Sequence, residues 1–307
     1  MTEIPIILFA YARPDHLRRT LNCLRGEQVP RIFAFSDGPR TPDKAIAVDQ
    51  VRNMLRTIDW CDVVLCERDE NLGLGRSILQ GVTEILKDNE MAIVIEDDLI
   101  VAPGTYNYLC AALHQYAQNP RVGSVTGWTH PTVTPNDIKN QPYFDGRAEC
   151  LVWGTWARAW EGMERDAKSL MRECESQGIG RNHYGADLPA MAEDELRKNI
   201  WAVRFLYHHI ATRRLCLRPP WSMVEHIGFD QQATNAHSAG QWASCPLKAC
   251  PPIPNQWPTA FEHPACPLLW QNASGTQPPQ PKTFLYRIQQ RISRMRLSIT
   301  DRRISKP

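Results

Sequence analysis

Strand-length apolar runs alternate with helix-period segments through the first 130 residues, and this alternation limits the fold more than any other feature. "IPIILFAY" (4–11) reads as a buried strand, and "PDHLRRTLNCLRG" (14–26) as a helix with Pro14 in its first turn and Gly26 at its end. "RIFAFSDG" (31–38) is a second strand closing on turn residues, and "PDKAIAVDQVRNMLRTI" (42–58) is helical by period. "DVVLCERDEN" (62–71) reads as a third strand, "GRSILQGVTEILKD" (75–88) as a helix, and "MAIVIEDDLIV" (91–101) as one fourth strand. "YNYLCAALHQYAQN" (106–119) and the strand-like "VGSVTGW" (122–128) follow. Such spacing predicts an α/β fold with a mostly parallel central sheet flanked by helices, its crossovers right-handed.

Beyond about residue 131 the pattern loosens. "WGTWARAW" (153–160) is mixed, and "EDELRKNIWAVRFLYHHIATR" (193–213) reads as one helix laid against the sheet. Ten of the 24 prolines fall in 245–281, which predicts an extended wrap or linker without regular structure. Residues 282–307 hold eight Lys/Arg against one Asp with apolar residues at a helical period, a basic terminal helix. The expected organisation is 1–130 as a ligand-binding α/β half, 131–244 as the second half of the same domain, 245–281 as the wrap, and 282–307 as a basic amphipathic tail.

Function enters through the polar residues that end the strands. In open α/β sheets ligands bind beyond the carboxyl ends of strands. Arg13 follows the first strand, Asp37 the second, Asp69 to Arg76 the third, and Glu96-Asp97-Asp98 the fourth. Three adjacent carboxylates repel one another, and a hard divalent cation such as Mn2+ or Mg2+ neutralises them while taking further ligands from a substrate's phosphates. A solvated acidic turn is the alternative for the triplet alone; Arg13 and Asp37 at neighbouring strand ends favour the metal. "NLGLGRSILQGV" (71–82) opens a helix on a Gly-rich turn whose N–H groups suit an anion, with Arg76 to add charge; a tight turn with a solvated Arg explains it equally.

The first 130 residues resemble the nucleotide-sugar domain of GT-A-fold glycosyltransferases, and Glu96-Asp97-Asp98-Leu99 resembles the metal motif of their N-acetylglucosaminyltransferase I-like group. "WGTWARAW" and "CLRPPWSMVEHIGFD" (216–230) are similar to segments of bacterial members, which typically carry Asn where this chain has His226. The resemblance covers about residues 4–235. It implies a GT-A-type fold, a UDP-linked sugar donor, and Mn2+ or Mg2+ held by Asp98, with Glu96 and Asp97 beside the nucleotide. Ala10 and Arg13 match an Ala-x-x-Arg whose Arg contacts the nucleotide, and Asp37 the acid that hydrogen-bonds uracil. Trp153, Trp156 and Trp160 border the sugars in that group, and also show the spacing of a buried helix face; Trp153 is the candidate for the site. His226 is a candidate second metal ligand, and His237 a weaker one.

An inverting transfer needs a carboxylate base. The family carries an acid just before a Trp, and here Asn199-Ile200 precedes Trp201. Asp194 and Glu193 are therefore the candidate bases, with Glu195 and Asp230 nearby, although acids opening a helix are also routine. The expected activity is transfer of a hexosyl or N-acetylhexosaminyl group to a glycan or lipid-linked acceptor in polysaccharide biosynthesis. Two alternatives stay open. A sugar nucleotidyltransferase would share the sheet and the metal, but "FAYARPDHLRRT" lacks its Gly-rich loop; a non-catalytic nucleotide-sugar or glycan-binding protein fits the missing acid before Trp201.

Charge and cysteine content bound the rest. A net charge of +2 suggests no nucleic-acid partner, yet the basic tail leaves the body acidic, and the tail could dock on an anionic membrane surface. The opening residues lack a signal peptide's basic region, so the ten cysteines are expected as free thiols in the cytoplasm, with peripheral attachment to the inner membrane face through the tail. Cys245, Cys250, Cys266 and His263 have no clean zinc spacing.

Overall fold

The structure, a computed structural model, describes residues 3–228, 242 and 245–274. They belong to one compact unit, Met1–Ser274; the separate unit Gly275–Pro307, with the basic tail, lies outside the described residues. The fold is α/β, a large central sheet flanked by helices, as the alternation predicts. Four strands form one half: β1 (Ile6–Ala10), β2 (Arg31–Ser36), β3 (Asp62–Glu67) and β4 (Met91–Glu96), adjacent in the order β3-β2-β1-β4 and parallel throughout. β1 is buried at every residue, as is β4 up to Ile95, which is why they read as unbroken apolar runs rather than alternating ones.

The second half continues the same sheet. β8 (Trp153–Trp156) pairs antiparallel with β4 and with β6 (Val122–Thr126). β9 (Leu215–Arg218) is parallel to β6, and β7 (Tyr143–Asp145) closes the edge antiparallel to β9. Two reversals cancel, so β6 and β9 run in the direction of β4. The carboxyl ends of β1, β2, β3, β4, β6 and β9 therefore share one edge.

Three expected elements differ. "MAIVIEDDLIV" is not one strand: β4 ends at Glu96, and β5 (Leu99–Val101) leaves to pair antiparallel with β10 (Val224–His226) in a separate two-stranded sheet. The break falls on Asp97 and Asp98, whose carboxylates are drawn to partners outside the strand. "EDELRKNIWAVRFLYHHIATR" spans two helices, α7 (Asp187–Lys198) and α8 (Trp201–Ala211), because Asn199 adopts the left-handed conformation at φ 55°. The wrap from 245 lacks regular structure only until α9 (Cys266–Ala273); before it, His263 N–H donates to Phe144 O of β7 at 2.8 Å.

α9 is fastened from below by a buried charged group. Arg218 and Asp145 are both 0% exposed, with Nε 2.8 Å from Oδ2, and Trp270 Nε1 donates to the same oxygen at 2.8 Å. Two guanidiniums lie over the Trp270 ring, that of Arg147 4.0 Å and that of Arg218 5.2 Å from its centroid. The ten cysteines are free thiols, and Cys245, Cys250 and Cys266 bond to different backbone or thioether partners rather than converging.

α8 carries a buried imidazole with a consequence for pH. His209 has Nδ1 3.0 Å from Phe205 O, and burial, with His208 adding to it, pushes its pKa down to about 3. The unfolded chain takes up a proton near pH 6.5 while the native state does not until about pH 3, so stability is lost as pH falls through that window. Between pH 7.5 and 5.0 this residue is expected to remove about 2 kcal/mol. Urea unfolding at both values checks it: His209→Gln should lose about 2 kcal/mol less than wild type. Equal losses in the two proteins would mean that the ring takes up its proton at the same pH folded and unfolded.

Candidate functional site

The strand ends converge as the sequence suggests. At the end of β1, Tyr11 N–H donates to Asp97 Oδ2 at 2.9 Å, and Arg13 bridges two acids, Nη2 on Asp97 Oδ1 at 2.5 Å and Nη1 on Asp98 Oδ2 at 2.8 Å. Thr20, on the helix α1 (Pro14–Arg25), donates to Asp97 O at 2.8 Å and fixes the turn from behind. His226 closes the other side, with Nε2 3.2 Å from Asp98 Oδ2. The β5–β10 ladder makes this contact possible by placing His226 opposite Leu99.

The three acids differ in charge. Burial pushes Glu96 up to about 8, helped by repulsion from Asp98 and Asp97. Burial also raises Asp97, against the pull of Arg13. Burial alone would raise Asp98 too, but its hydrogen bond from His226 and the charge of Arg13 outweigh it and hold the group below the usual carboxylate range. Asp98 is thus the acid of the triplet held most firmly in its ionised form at neutral pH, the form a cation needs.

Asp98 and His226 also suit a divalent cation by position. Their donor atoms stand 3.2 Å apart, close to the edge of about 3 Å in an octahedron with bonds of about 2.1 Å. A Cβ at Gly228 would lie 2.1 Å from Asp98 Oδ2, so the glycine leaves a cradle against these donors. Among the described residues no three acidic, His or Cys side chains form a closed cage. A cation held here would complete its shell with water and phosphate oxygens.

At the end of β2, Asp37 is buried and well bonded. Its Oδ1 accepts from Arg68 Nη1 at 2.9 Å and from Ser77 Oγ at 3.2 Å, and its Oδ2 from Leu72 N–H at 3.0 Å. One lone pair of Oδ2 is left. Arg68, which the sequence reading missed, lies 5.0 Å over the Phe35 ring. Its signal was present: a cation at the third strand's end facing an acid at the second's.

Other expected residues fall elsewhere. Ala10 is buried at the end of β1, paired with Ser36. The Asp69 side chain is exposed, and its backbone carbonyl is what keeps residue 38 a glycine, since a Cβ there would stand 2.1 Å away. Arg76 is exposed on α3 (Leu74–Ile85), with Nε donating to Leu72 O at 3.2 Å. The Gly-rich turn before α3 is not open, because the Asn199 carboxamide packs against Gly73 and Gly75.

Two expectations are corrected. Trp153 is 1% exposed, its ring stacked on Trp160 and Trp201 and tilted against Phe205, so it packs in the core. Glu193 and Asp194 are not brought to the acid cluster. They lie on the solvent side of α7, Glu193 paired with Lys168 and Arg181, Asp194 with Arg197 and Lys198. Hydrogen bonds from these cations lower both carboxyls, which makes poor bases of them. Glu195 is buried structurally, bonded to Ala167 N–H and paired with Arg204. Asp230 and His237 lie outside the described residues.

No protein-family model and no curated protein sequence matches the chain. Among solved structures it is similar to the mannosyltransferase PcManGT from Pyrobaculum calidifontis, described in complex with GDP-Man and Mn2+, with TM-score 0.41 and 11% identity over 75% of this chain and 58% of that one. It is also similar to HddC from Yersinia pseudotuberculosis, with TM-score 0.33 and 13% identity over 50% of this chain and 77% of that one. The chain thus spans 58% of the mannosyltransferase's length. At these scores the likenesses add nothing to what the sheet itself shows.

Proposed function

We propose that the chain is a metal-dependent, GT-A-type glycosyltransferase that moves a sugar from a UDP-linked donor to a glycan or lipid-linked acceptor, with inversion. The observation that carries this reading is the Arg13–Asp98–His226 group at the shared carboxyl edge of the sheet. An ionised carboxylate and an imidazole suit Mn2+, and a guanidinium beside them suits the diphosphate the same cation would bind. The cation, when bound, neutralises charge on the departing diphosphate. Asp98 and His226 would hold it; Arg13, kept in place by Asp97, would orient the phosphates; the remaining lone pair of Asp37 would accept from the uracil ring.

A second reading, donor binding without turnover, is favoured by the ion pairs that hold Glu193 and Asp194 away from the role of base. One experiment tests both. The full chain is incubated with UDP- and GDP-sugars and acceptor extract, with Mn2+ or with chelator, and free nucleotide is followed. Release of UDP that chelator stops is the expected result. UTP and sugar 1-phosphate formed from the UDP-sugar only when pyrophosphate is added, or binding without any nucleotide release, would overturn it. Docking of residues 282–307 on anionic membrane belongs to the same proposal, and among the described residues no helix is long and apolar enough to cross a membrane.

A further inference from the structure

We propose that Gly228 is the positioning residue that opens the Asp98–His226 pair to a divalent cation. The inference rests on the metal-dependent reading above and extends it to a residue that carries no donor atom. A Cβ at position 228 would stand 2.1 Å from Asp98 Oδ2, 2.9 Å from Asp98 Cγ and 3.0 Å from His226 Nε2. A distance of about 2.1 Å is that of a metal–oxygen bond, so a side chain at 228 and a cation on Asp98 would claim the same space.

The backbone does not explain the glycine, because its φ lies outside the left-handed region that other residues avoid. Nor can the segment retreat easily. Ile227 N–H donates to Asp98 O at 2.9 Å, and His226 is paired with Leu99, so residue 228 is fastened to the turn that carries the acid. What a methyl group would strike is the end of a flexible carboxylate rather than backbone. Gly228→Ala should therefore fold, with the Asp98 carboxylate rotated off Arg13 Nη1 and His226 Nε2.

Mn2+ affinity, read by the electron spin resonance of free Mn2+ with and without UDP, tests this beside thermal unfolding. Wild type is expected to bind Mn2+, and Gly228→Ala to bind it about tenfold or more weakly, as does Asp98→Ala. Any stability that Gly228→Ala loses should vanish when it is made on the Asp98→Ala background, because the struck group is then gone. Mn2+ binding by Gly228→Ala equal to wild type would overturn the inference alone. So would a stability loss that persists without the Asp98 side chain. Wild type that binds no Mn2+, alone or with UDP, would overturn the metal-dependent reading as well.

Discussion

Asp98→Asn should lower metal-dependent nucleotide release by about three orders of magnitude. Neutralising a departing diphosphate through a bound cation supplies several kcal/mol, and each tenfold in rate corresponds to about 1.4 kcal/mol. Asn keeps the shape of Asp98 and can still accept from His226, so the loss measures charge rather than packing. Asp98 also shares Arg13 with Asp97, and removing its charge leaves the guanidinium to Asp97 alone. The rate at saturating donor and saturating Mn2+ is the quantity to measure, beside Mn2+ affinity. A variant turning over within threefold of wild type would remove Asp98 from the mechanism, whatever its affinity for the ion.

The largest effect on stability is expected at Arg218. Arg218→Met should cost about 3–5 kcal/mol, the usual result of removing one partner of a buried ion pair. Asp145 would keep only Trp270 Nε1–H and the Arg147 N–H as donors, and its charge would be stranded at 0% exposure. The residue also donates Nη2 to Arg147 O at 3.0 Å, which ties the end of β9 to the loop after β7. Urea unfolding gives the number, and a second variant gives the cause. Asp145→Asn combined with Arg218→Met should recover part of the loss, because no uncompensated charge is then buried. A double variant as unstable as the sum of the two singles would mean that packing around Trp270, not charge, sets the cost.

Much of the parallel half of the sheet was legible in the sequence for a definite reason. Strands buried on both faces leave continuous apolar runs, and β1 and β4 are such strands. Polar residues at strand ends then marked Arg13, Asp37 and the acid triplet. β7, β10 and β5 have three residues each, too short for any period to show. The division between α7 and α8 depends on one left-handed Asn, which resembles any other Asn in sequence. Trp153 shows a different limit: an aromatic that could stack on a sugar and one that stacks on Trp201 look the same until the chain is folded. Glu193 and Asp194 failed similarly, since their partners Lys168, Arg181, Arg197 and Lys198 come from several turns of two helices and a loop. Gly228 went unnoticed because its contribution is space.

The antiparallel placement of β8 acts as a ruler. It separates the end of β4 from the end of β6 by two strand steps, about 10 Å in all. Hydrogen-bonded ladders on both sides fix that span, and no loop can stretch it. A second substrate that docks beyond β6 and reacts at Asp98 must bridge this interval with its own length, so a group too short would bind and never reach.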